Sequence, residues 1–193
     1  YVSGLGQVRQ ALHVTFAAIQ ARLPKDTVLV EYIGYPHYLG KDQWEPHYAA
    51  VVLASQGPVR WIPLGPIKEV DDLIRRYHRA VSDDSSGDAQ MKTISQSLYA
   101  KTWLPVEKTF SPSVNSVVLS PDGMLHFVSF AALLTDNDRF LVERYGVRYV
   151  GSGRDLLNPA RPSGNKEICI FSSPQYQPSN FWAEMLARLP GSF

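Results

Sequence analysis

Cysteine is nearly absent from this chain, since Cys169 is the only one in 193 residues. A single cysteine cannot form an internal disulfide, and a lack of bridges is typical of proteins in a reducing compartment. We therefore predict a cytoplasmic protein. Long hydrophobic runs are also missing, because no apolar stretch approaches the ~20 residues that a membrane-spanning helix needs. The first residues do not have the charged-then-apolar order of a signal peptide, so no membrane partner is predicted.

An excess of charge of one sign is missing as well. Lysine and arginine number 19 and aspartate and glutamate number 18, which gives a formal net charge of +1. Such a balance produces no overall field toward nucleic acid, so no direct nucleic-acid partner is predicted. The hydrophobic fraction of 45% is ample for a packed core. These features predict a globular protein.

The first half of the chain predicts a helix, a meander and two more helices. Apolar residues recur at three- and four-residue steps over Val8–Leu23, which indicates an amphipathic helix. Strands are predicted where β-branched and aromatic residues concentrate, and their short connections favour antiparallel pairing. The same helical spacing returns in two later segments, of which the second is expected to end or kink at Pro105. The strands are 27–34, 48–54 and 59–64, the helices 66–80 and 91–103, and 82–88 is a loop.

The segment Ser120–Leu133 is the most informative part of the sequence. It reads Ser-Pro-Asp-Gly-Met-Leu-His-Phe-Val-Ser-Phe-Ala-Ala-Leu and follows the apolar run Val114–Leu119. Pro121-Asp122-Gly123 is typical of a turn, because proline presets one backbone angle and glycine accepts the positive angle that turns often require. From its residues alone, the segment predicts a strand, a turn and a second β segment. Further β runs are predicted at 140–143, 147–150 and 168–171, with a linker at 159–165 and a short helix at 181–189.

In this order, the elements and motifs resemble the N-terminal half of a CHAT domain. That family comprises caspase-like, separase-related cysteine peptidases commonly found behind tetratricopeptide repeats. The resemblance covers residues 8–192 and is specific through the number and order of its fragments. These are Leu23–Tyr32 after an amphipathic helix, Pro63–Gly65, Leu98-Tyr99 before Leu104-Pro105, the segment Ser120–Leu133, Leu141–Tyr149 with Ser152 after it, and Leu189–Ser192.

The resemblance implies an α/β fold with a mixed sheet flanked by helices, in a caspase-like lobe without a catalytic centre. Residues 1–24 would connect this lobe to an upstream region, expected to be helical repeats, and 25–158 would form the pseudo-caspase lobe. Residues 159–193 would be a linker and the first strand of the active lobe, truncated here. The family's histidine-glycine motif and its catalytic cysteine match no position of this chain. No catalytic, cofactor-binding or metal-binding residue is therefore predicted.

The resemblance also implies a role. The leading hypothesis is the non-catalytic lobe of a CHAT-type cysteine peptidase, which supports the protease lobe and links it to an upstream sensor. Its expected partners are the remainder of the protease domain, the upstream repeats or a partner protein, and a protein substrate held by the missing lobe. The alternative is a catalytically inactive interaction scaffold with the same fold. A stand-alone hydrolase built on His126 is the third hypothesis.

Two residues invite a cysteine-peptidase interpretation without help from the family. Cys169 lies between Ile168 and Ile170 in a predicted core strand, where a thiol behaves as a small hydrophobe and not as an exposed thiolate. His126 has no nearby nucleophile in sequence and no following glycine. We therefore favour a structural role for His126, either orienting the turn or packing on the sheet.

Residues 35–46 suggest either a metal site or a recognition surface. His37, Asp42 and His47 are ligand types for zinc, but their irregular spacing and the lack of a fourth ligand argue against a metal. Tyr35–Pro46 is longer than a hairpin turn requires and is unusually aromatic. Because tyrosine and tryptophan are favoured at recognition surfaces, this segment is a candidate contact site for another domain or chain. The alternative is a surface loop tucked on the sheet.

Two glycine pairs and one basic helix face complete the candidates. Gly4-Leu5-Gly6 and Gly151-Ser152-Gly153 lack the full spacing and the lysine of a phosphate-binding loop, so both are interpreted as turns. Arg75, Arg76, His78 and Arg79 make one helix face basic. A solvated face is the favoured interpretation, since nucleic-acid binding would require a wider basic stripe.

Overall fold

A computed structural model describes residues 14–82 and 87–157 of the chain. Five strands form one mixed sheet in the order β3-β2-β1-β4-β5. The first three pair antiparallel as a meander, whereas β4 pairs parallel with β1 and β5 parallel with β4. The predictions of the meander and of an α/β fold with a mixed sheet, like a caspase-like lobe, are confirmed. The strands are β1 (Thr27–Gly40), β2 (Gln43–Ala54), β3 (Arg60–Pro66), β4 (Ser116–Ser120) and β5 (Gly146–Tyr149).

Helices cover both faces of the sheet. The two predicted central helices are confirmed, and Pro105 lies in the first turn of the next helix, where a missing N–H costs little. Of the helix predicted over Val8–Leu23, only the part from Val14 onward lies within the described residues. The helices are α1 (Phe16–Gln20), α2 (Ile67–Ser82), α3 (Asp88–Thr102) and α4 (Leu104–Glu107), with 3₁₀ helices at Gly123–Phe127, Phe130–Ala132, Leu141–Glu143 and Gly153–Leu157. None of the described helices combines the length and hydrophobicity that a bilayer-spanning segment needs.

The sheet separates two apolar clusters of unequal size. The larger one joins alternate residues of β1 and β4 to the buried faces of α2 and α3, with Trp103 fully buried at its centre. The smaller cluster, on the opposite face, contains Ile19, Leu23, Leu29, Leu53 and Val118. Because both faces are covered where β1 pairs with β4, residues 28–30 and 117–119 are continuous apolar runs without alternation.

A buried carboxylate lies at the edge of the larger cluster. Glu107 accepts hydrogen bonds from the hydroxyl groups of Tyr99 and Tyr145, at 2.6 and 2.8 Å, and its other contact is the Arg144 guanidinium. The carboxylate therefore connects α3, α4 and the chain that leads into β5.

The prediction of a loop at Tyr35–Pro46, longer than a hairpin turn, is wrong. β1 continues to Gly40 and β2 begins at Gln43, so Lys41 and Asp42 alone form the turn. Both have positive φ, +50° and +58°, as in the type I′ turns that match strand twist. Pro36 and Pro46 face each other across the hairpin, and proline normally argues against a strand. It is tolerated here because this part of the hairpin has no further strand beside it among the described residues.

The hairpin turn gives a first prediction. Replacing Lys41 by Asn and Asp42 by Gly should raise the free energy of unfolding by about 1 kcal/mol, because Asn-Gly accepts positive φ at both positions with little strain. Urea denaturation of the double variant measures the change. Lys41→Val is the opposing control, since a β-branched residue disfavours this conformation, and it should destabilise the chain. Equal stability of the three proteins would contradict the turn assignment.

Two predicted β segments are also wrong. After β4, the chain enters the 3₁₀ helix Gly123–Phe127, and the predicted run at 140–143 is the 3₁₀ helix Leu141–Glu143. Leu125 and Val128 are both buried, and their three-residue spacing places them on one side of a 3₁₀ turn. The turn at Gly123 is confirmed by its φ of +56°, and the strand predicted at 147–150 is confirmed as β5.

Some predictions fall outside the described residues. They are Cys169 and its strand 168–171, the helix at 181–189, the linker 159–165, the Gly4-Leu5-Gly6 turn and positions 83–86 of the loop 82–88. The domain boundary at residue 158 stays a prediction.

Burial of tyrosines gives the fold a pH dependence. Burial is the main cause that raises the pKa of Tyr32, Tyr48, Tyr77, Tyr99, Tyr145 and Tyr149. The unfolded chain loses these phenolic protons near pH 10, whereas the folded chain still holds them. Their contribution to stability is therefore complete below about pH 10 and is lost progressively as the pH rises toward the folded-state pKa values.

We expect the melting temperature to fall steeply between about pH 10 and about pH 11. Tyr77→Phe is a suitable variant, because only burial raises the pKa of this tyrosine. Removing one titrating group should make the decline shallower without abolishing it. A melting temperature that stays constant over this interval would contradict the expected coupling.

Candidate recognition site

The β1–β2 hairpin extends beyond the rest of the sheet. β4 pairs with β1 only as far as Glu31, and β3 pairs with β2 only from His47 onward. Residues 36–46 therefore have no strand neighbour on either side within the described chain. We call residues 35–47 the aromatic hairpin.

Aromatic pairs connect the two strands of the aromatic hairpin. The ring centroids of Tyr38 and Trp44 are 4.7 Å apart, and the His37 and His47 rings stack at 4.4 Å. At the base, Tyr35 packs edge-on against Trp61 of β3 at 5.1 Å. A two-stranded ribbon is only marginally stable in water, so such cross-strand contacts are needed to keep it ordered.

Much of this aromatic surface is exposed. Trp44 is 62% exposed and Tyr38 50%, and Leu39 next to the turn is exposed too. The interpretation of residues 35–46 as a loop tucked on the sheet is therefore wrong. Large apolar side chains on an ordered, projecting ribbon are typical of a protein contact surface, so the aromatic hairpin is the candidate recognition site.

The aromatic hairpin does not bring together the possible metal ligands. His47 Nε2 lies 2.8 Å from a Glu45 carboxylate oxygen, His37 stacks on His47, and Asp42 lies in the turn. Among residues 14–82 and 87–157, no three histidine, cysteine or acidic side chains form a group that could hold a metal ion.

A second arrangement fixes the chain after β5. One carboxylate oxygen of Glu31 accepts hydrogen bonds from Ser152 Oγ at 3.1 Å and from the Gly153 N–H at 2.8 Å. Asp155 accepts from the N–H groups of Gly151 and Ser152 at 2.9 and 3.2 Å. We call Glu31, Gly151–Gly153 and Asp155 the exit clamp.

The exit clamp requires a glycine at one position, and its backbone N–H groups are already used by carboxylates, so they do not bind an anion. A Cβ on Gly153 would lie 2.4 Å from the Leu29 side chain, so glycine is needed for this close approach. The backbone N–H groups of Gly151–Gly153 already donate to carboxylates. This turn is therefore not a phosphate cradle. The sequence signal for the exit clamp is Glu31, because a charged residue inside the otherwise apolar run 28–33 requires a polar partner.

The structure also places the other candidates. His126 is exposed on the Gly123–Phe127 helix, so its predicted packing on the sheet is wrong. On α2, Arg75, Arg76 and Arg79 are exposed, and Arg75 forms an ion pair with Asp72 at 2.8 Å. The solvated-face interpretation fits these arginines but fails for His78, whose Nε2 atom is buried.

The comparisons with known proteins assign the family. The family model of the CHAT domain matches residues 92–192, just over half of the chain. The match includes the segment Ser120–Leu133, β4 and β5. Among the curated proteins, the comparison finds no match. With its caspase-like α/β sheet, the chain therefore belongs to the CHAT domain family of caspase-like peptidases.

Proposed function

We propose that this chain is the non-catalytic lobe of a CHAT-type cysteine peptidase, which supports the protease lobe and links it to an upstream sensor. The observation that carries the proposal is the match of residues 92–192 to the CHAT domain together with the mixed five-stranded sheet of the described residues, in a sequence where no position matches the histidine-glycine or cysteine motif of the family. Cysteine peptidase chemistry needs a thiolate beside an imidazole. The catalytic groups are then supplied by the lobe that follows.

The small apolar cluster supports the linking role. Ile19 and Leu23, at the entry to the lobe, pack with Leu29 and Val118 on one face of the sheet. Leu156 and Leu157, in the 3₁₀ helix that begins within the exit clamp, pack against the same cluster. Entry and exit of the lobe therefore share one set of contacts. A displacement of α1 by an upstream sensor would reach the outgoing chain through them.

The protease assignment is tested by the parent gene. Its reading frame should continue beyond Phe193 with a histidine-glycine motif and a later cysteine. Replacing that cysteine with alanine should abolish cleavage by the parent protein and leave its melting temperature unchanged. A reading frame that ends near Phe193 would overturn the proposal.

The shared cluster gives a prediction for the parent enzyme. Ile19→Ala should weaken the ratio of sensor-activated to basal cleavage, because the smaller side chain loosens the contact between α1 and the sheet. The matched control is Ile94→Ala in the larger cluster, since Ile19 and Ile94 are 5% and 6% exposed. Each change should cost about 2–5 kcal/mol of stability, but only Ile19→Ala should lower the activation ratio. An equal effect of both variants would point to general destabilisation.

A catalytically inactive interaction scaffold is the second candidate, and the exposed aromatic hairpin favours it. In that case the parent would lack the histidine and cysteine and would bind a partner without cleaving any protein. Leu39→Ser should then reduce partner binding with little change in melting temperature, because this side chain is 56% exposed and takes no part in the aromatic pairs that order the hairpin. Proteolysis by the parent protein would exclude this candidate.

A further inference from the structure

A pocket of about 390 Å³ lies between α2 and the 3₁₀ helix Gly123–Phe127. Its volume is within the range of small-molecule and side-chain binding sites. It lies within the described lobe and needs neither the proposed catalytic lobe nor the aromatic hairpin. The lining residues are Arg75, His78 and Arg79 from α2 with Met124 and Phe127 from the 3₁₀ helix.

The two walls of the pocket are held in fixed positions. The Met124 N–H donates to Tyr48 Oη at 3.1 Å, and the same hydroxyl donates to Asp71 Oδ1 on α2 at 3.2 Å. Gly123 permits this approach, because a Cβ there would lie 2.3 Å from Tyr48 Oη. The pocket is therefore pre-formed, which lowers the entropy cost of binding.

The 3₁₀ helix presents an apolar wall to the pocket. Leu125 and Val128 point into the core, whereas Phe127 is 64% exposed. Its ring meets the His78 ring edge-on, with centroids 6.1 Å apart. A phenylalanine that is exposed on an ordered turn beside a pocket is a feature of binding surfaces.

The α2 wall supplies positive charge. Arg75 and Arg79 line the pocket. Arg75 is paired with Asp72 at 2.8 Å, so Arg79 is the arginine assigned to a bound carboxylate. His78 contributes a buried Nε2 atom that has no hydrogen-bond partner within the described residues. With no accessible surface, this atom does not meet a bound ligand, and the arginines supply the polar contacts of the pocket.

We propose that this pocket binds an acidic peptide segment of a partner protein, with one bulky apolar side chain between Met124 and Phe127 and a carboxylate on Arg79. The apolar wall and the pocket size suit one large side chain, and the arginines select negative charge beside it. Single-stranded nucleic acid is disfavoured, because its backbone requires a row of cations, whereas Arg75 is already paired with Asp72 and one further arginine suits a single carboxylate.

The test selects ligands from a phage-displayed library of random peptides on the full 193-residue chain. We expect enrichment of sequences with a bulky apolar residue next to aspartate or glutamate. The best peptide is then synthesised with a fluorescent label and titrated by polarisation. Phe127→Ser and Arg79→Glu should each weaken its binding by on the order of tenfold or more. An Arg79→Glu chain should regain affinity for the peptide in which lysine replaces the acidic residue.

Val142→Ser and Arg148→Glu are the matched controls, since both side chains are exposed outside the pocket. Neither should change the affinity, and thermal melting checks that all variants are folded. The proposal is overturned by a selection that enriches no acidic-apolar pattern, or by a peptide whose binding ignores both pocket variants. Binding of a labelled single-stranded oligonucleotide that requires Phe127 and competes with the peptide would assign the pocket to nucleic acid instead.

Discussion

Glu107→Ala should lower the free energy of unfolding by about 2–6 kcal/mol, since each of two buried hydroxyl groups that lose their acceptor costs about 1–3 kcal/mol, whereas the Arg144 side chain is 62% exposed and adds little. The Glu107 carboxylate is 9% exposed and accepts from Tyr99, Tyr145 and Arg144. Without it, two buried hydroxyl groups have no acceptor, and each unpaired group adds its own desolvation cost. Urea denaturation with a common slope measures the loss.

The size of this effect is checked by two further variants. Glu107→Gln keeps the shape and one acceptor oxygen, so its loss should lie between those of wild type and Glu107→Ala. Glu143→Gln removes an exposed carboxylate that is paired with Arg139 and should leave stability nearly unchanged. If Glu107→Ala and Glu143→Gln have the same effect, the buried network does not hold α3, α4 and the approach to β5 together.

The sequence correctly predicted those helices and strands in which the buried residues recur at a regular spacing. α2 presents Val70, Ile74 and Tyr77 to the core at helical spacing. This spacing alone is sufficient to predict the helix from the sequence. The hairpin was missed because Pro36 and Pro46 oppose a strand assignment unless the absence of neighbouring strands is known. That absence is a property of the whole sheet. Short 3₁₀ turns such as Leu141–Glu143 have too few residues to differ from a β run in sequence.

The candidate sites were less predictable, because their parts come from distant segments. Glu31 alone signals a buried partner, but Ser152 and Gly153 follow more than a hundred residues later. His78 and Phe127 meet only because the 3₁₀ helix lies beside α2. The resemblance assigned the segment Ser120–Leu133 to a family. The role of the exposed residues in this segment could be inferred only from the packing around them.

Gly123→Ala should lower the free energy of unfolding by about 2–4 kcal/mol, although it adds only one methyl group to the segment Ser120–Leu133. Two independent penalties add. The φ of +56° strains any residue with a Cβ, and the new atom would displace Tyr48 Oη from its bonds to Met124 and Asp71.

Gly57→Ala separates the two penalties. Gly57 also has positive φ, +92°, but a Cβ there meets no atom within 4 Å. This control should therefore show only the backbone strain of about 1 kcal/mol. The additional loss in Gly123→Ala, compared with Gly57→Ala, then measures the contact with Tyr48. This difference should shrink when both glycine variants are made in a Tyr48→Phe protein, because the hydroxyl that the new Cβ would displace is already absent. Equal losses at both glycines would show that Tyr48 does not hold the turn against β2 and α2.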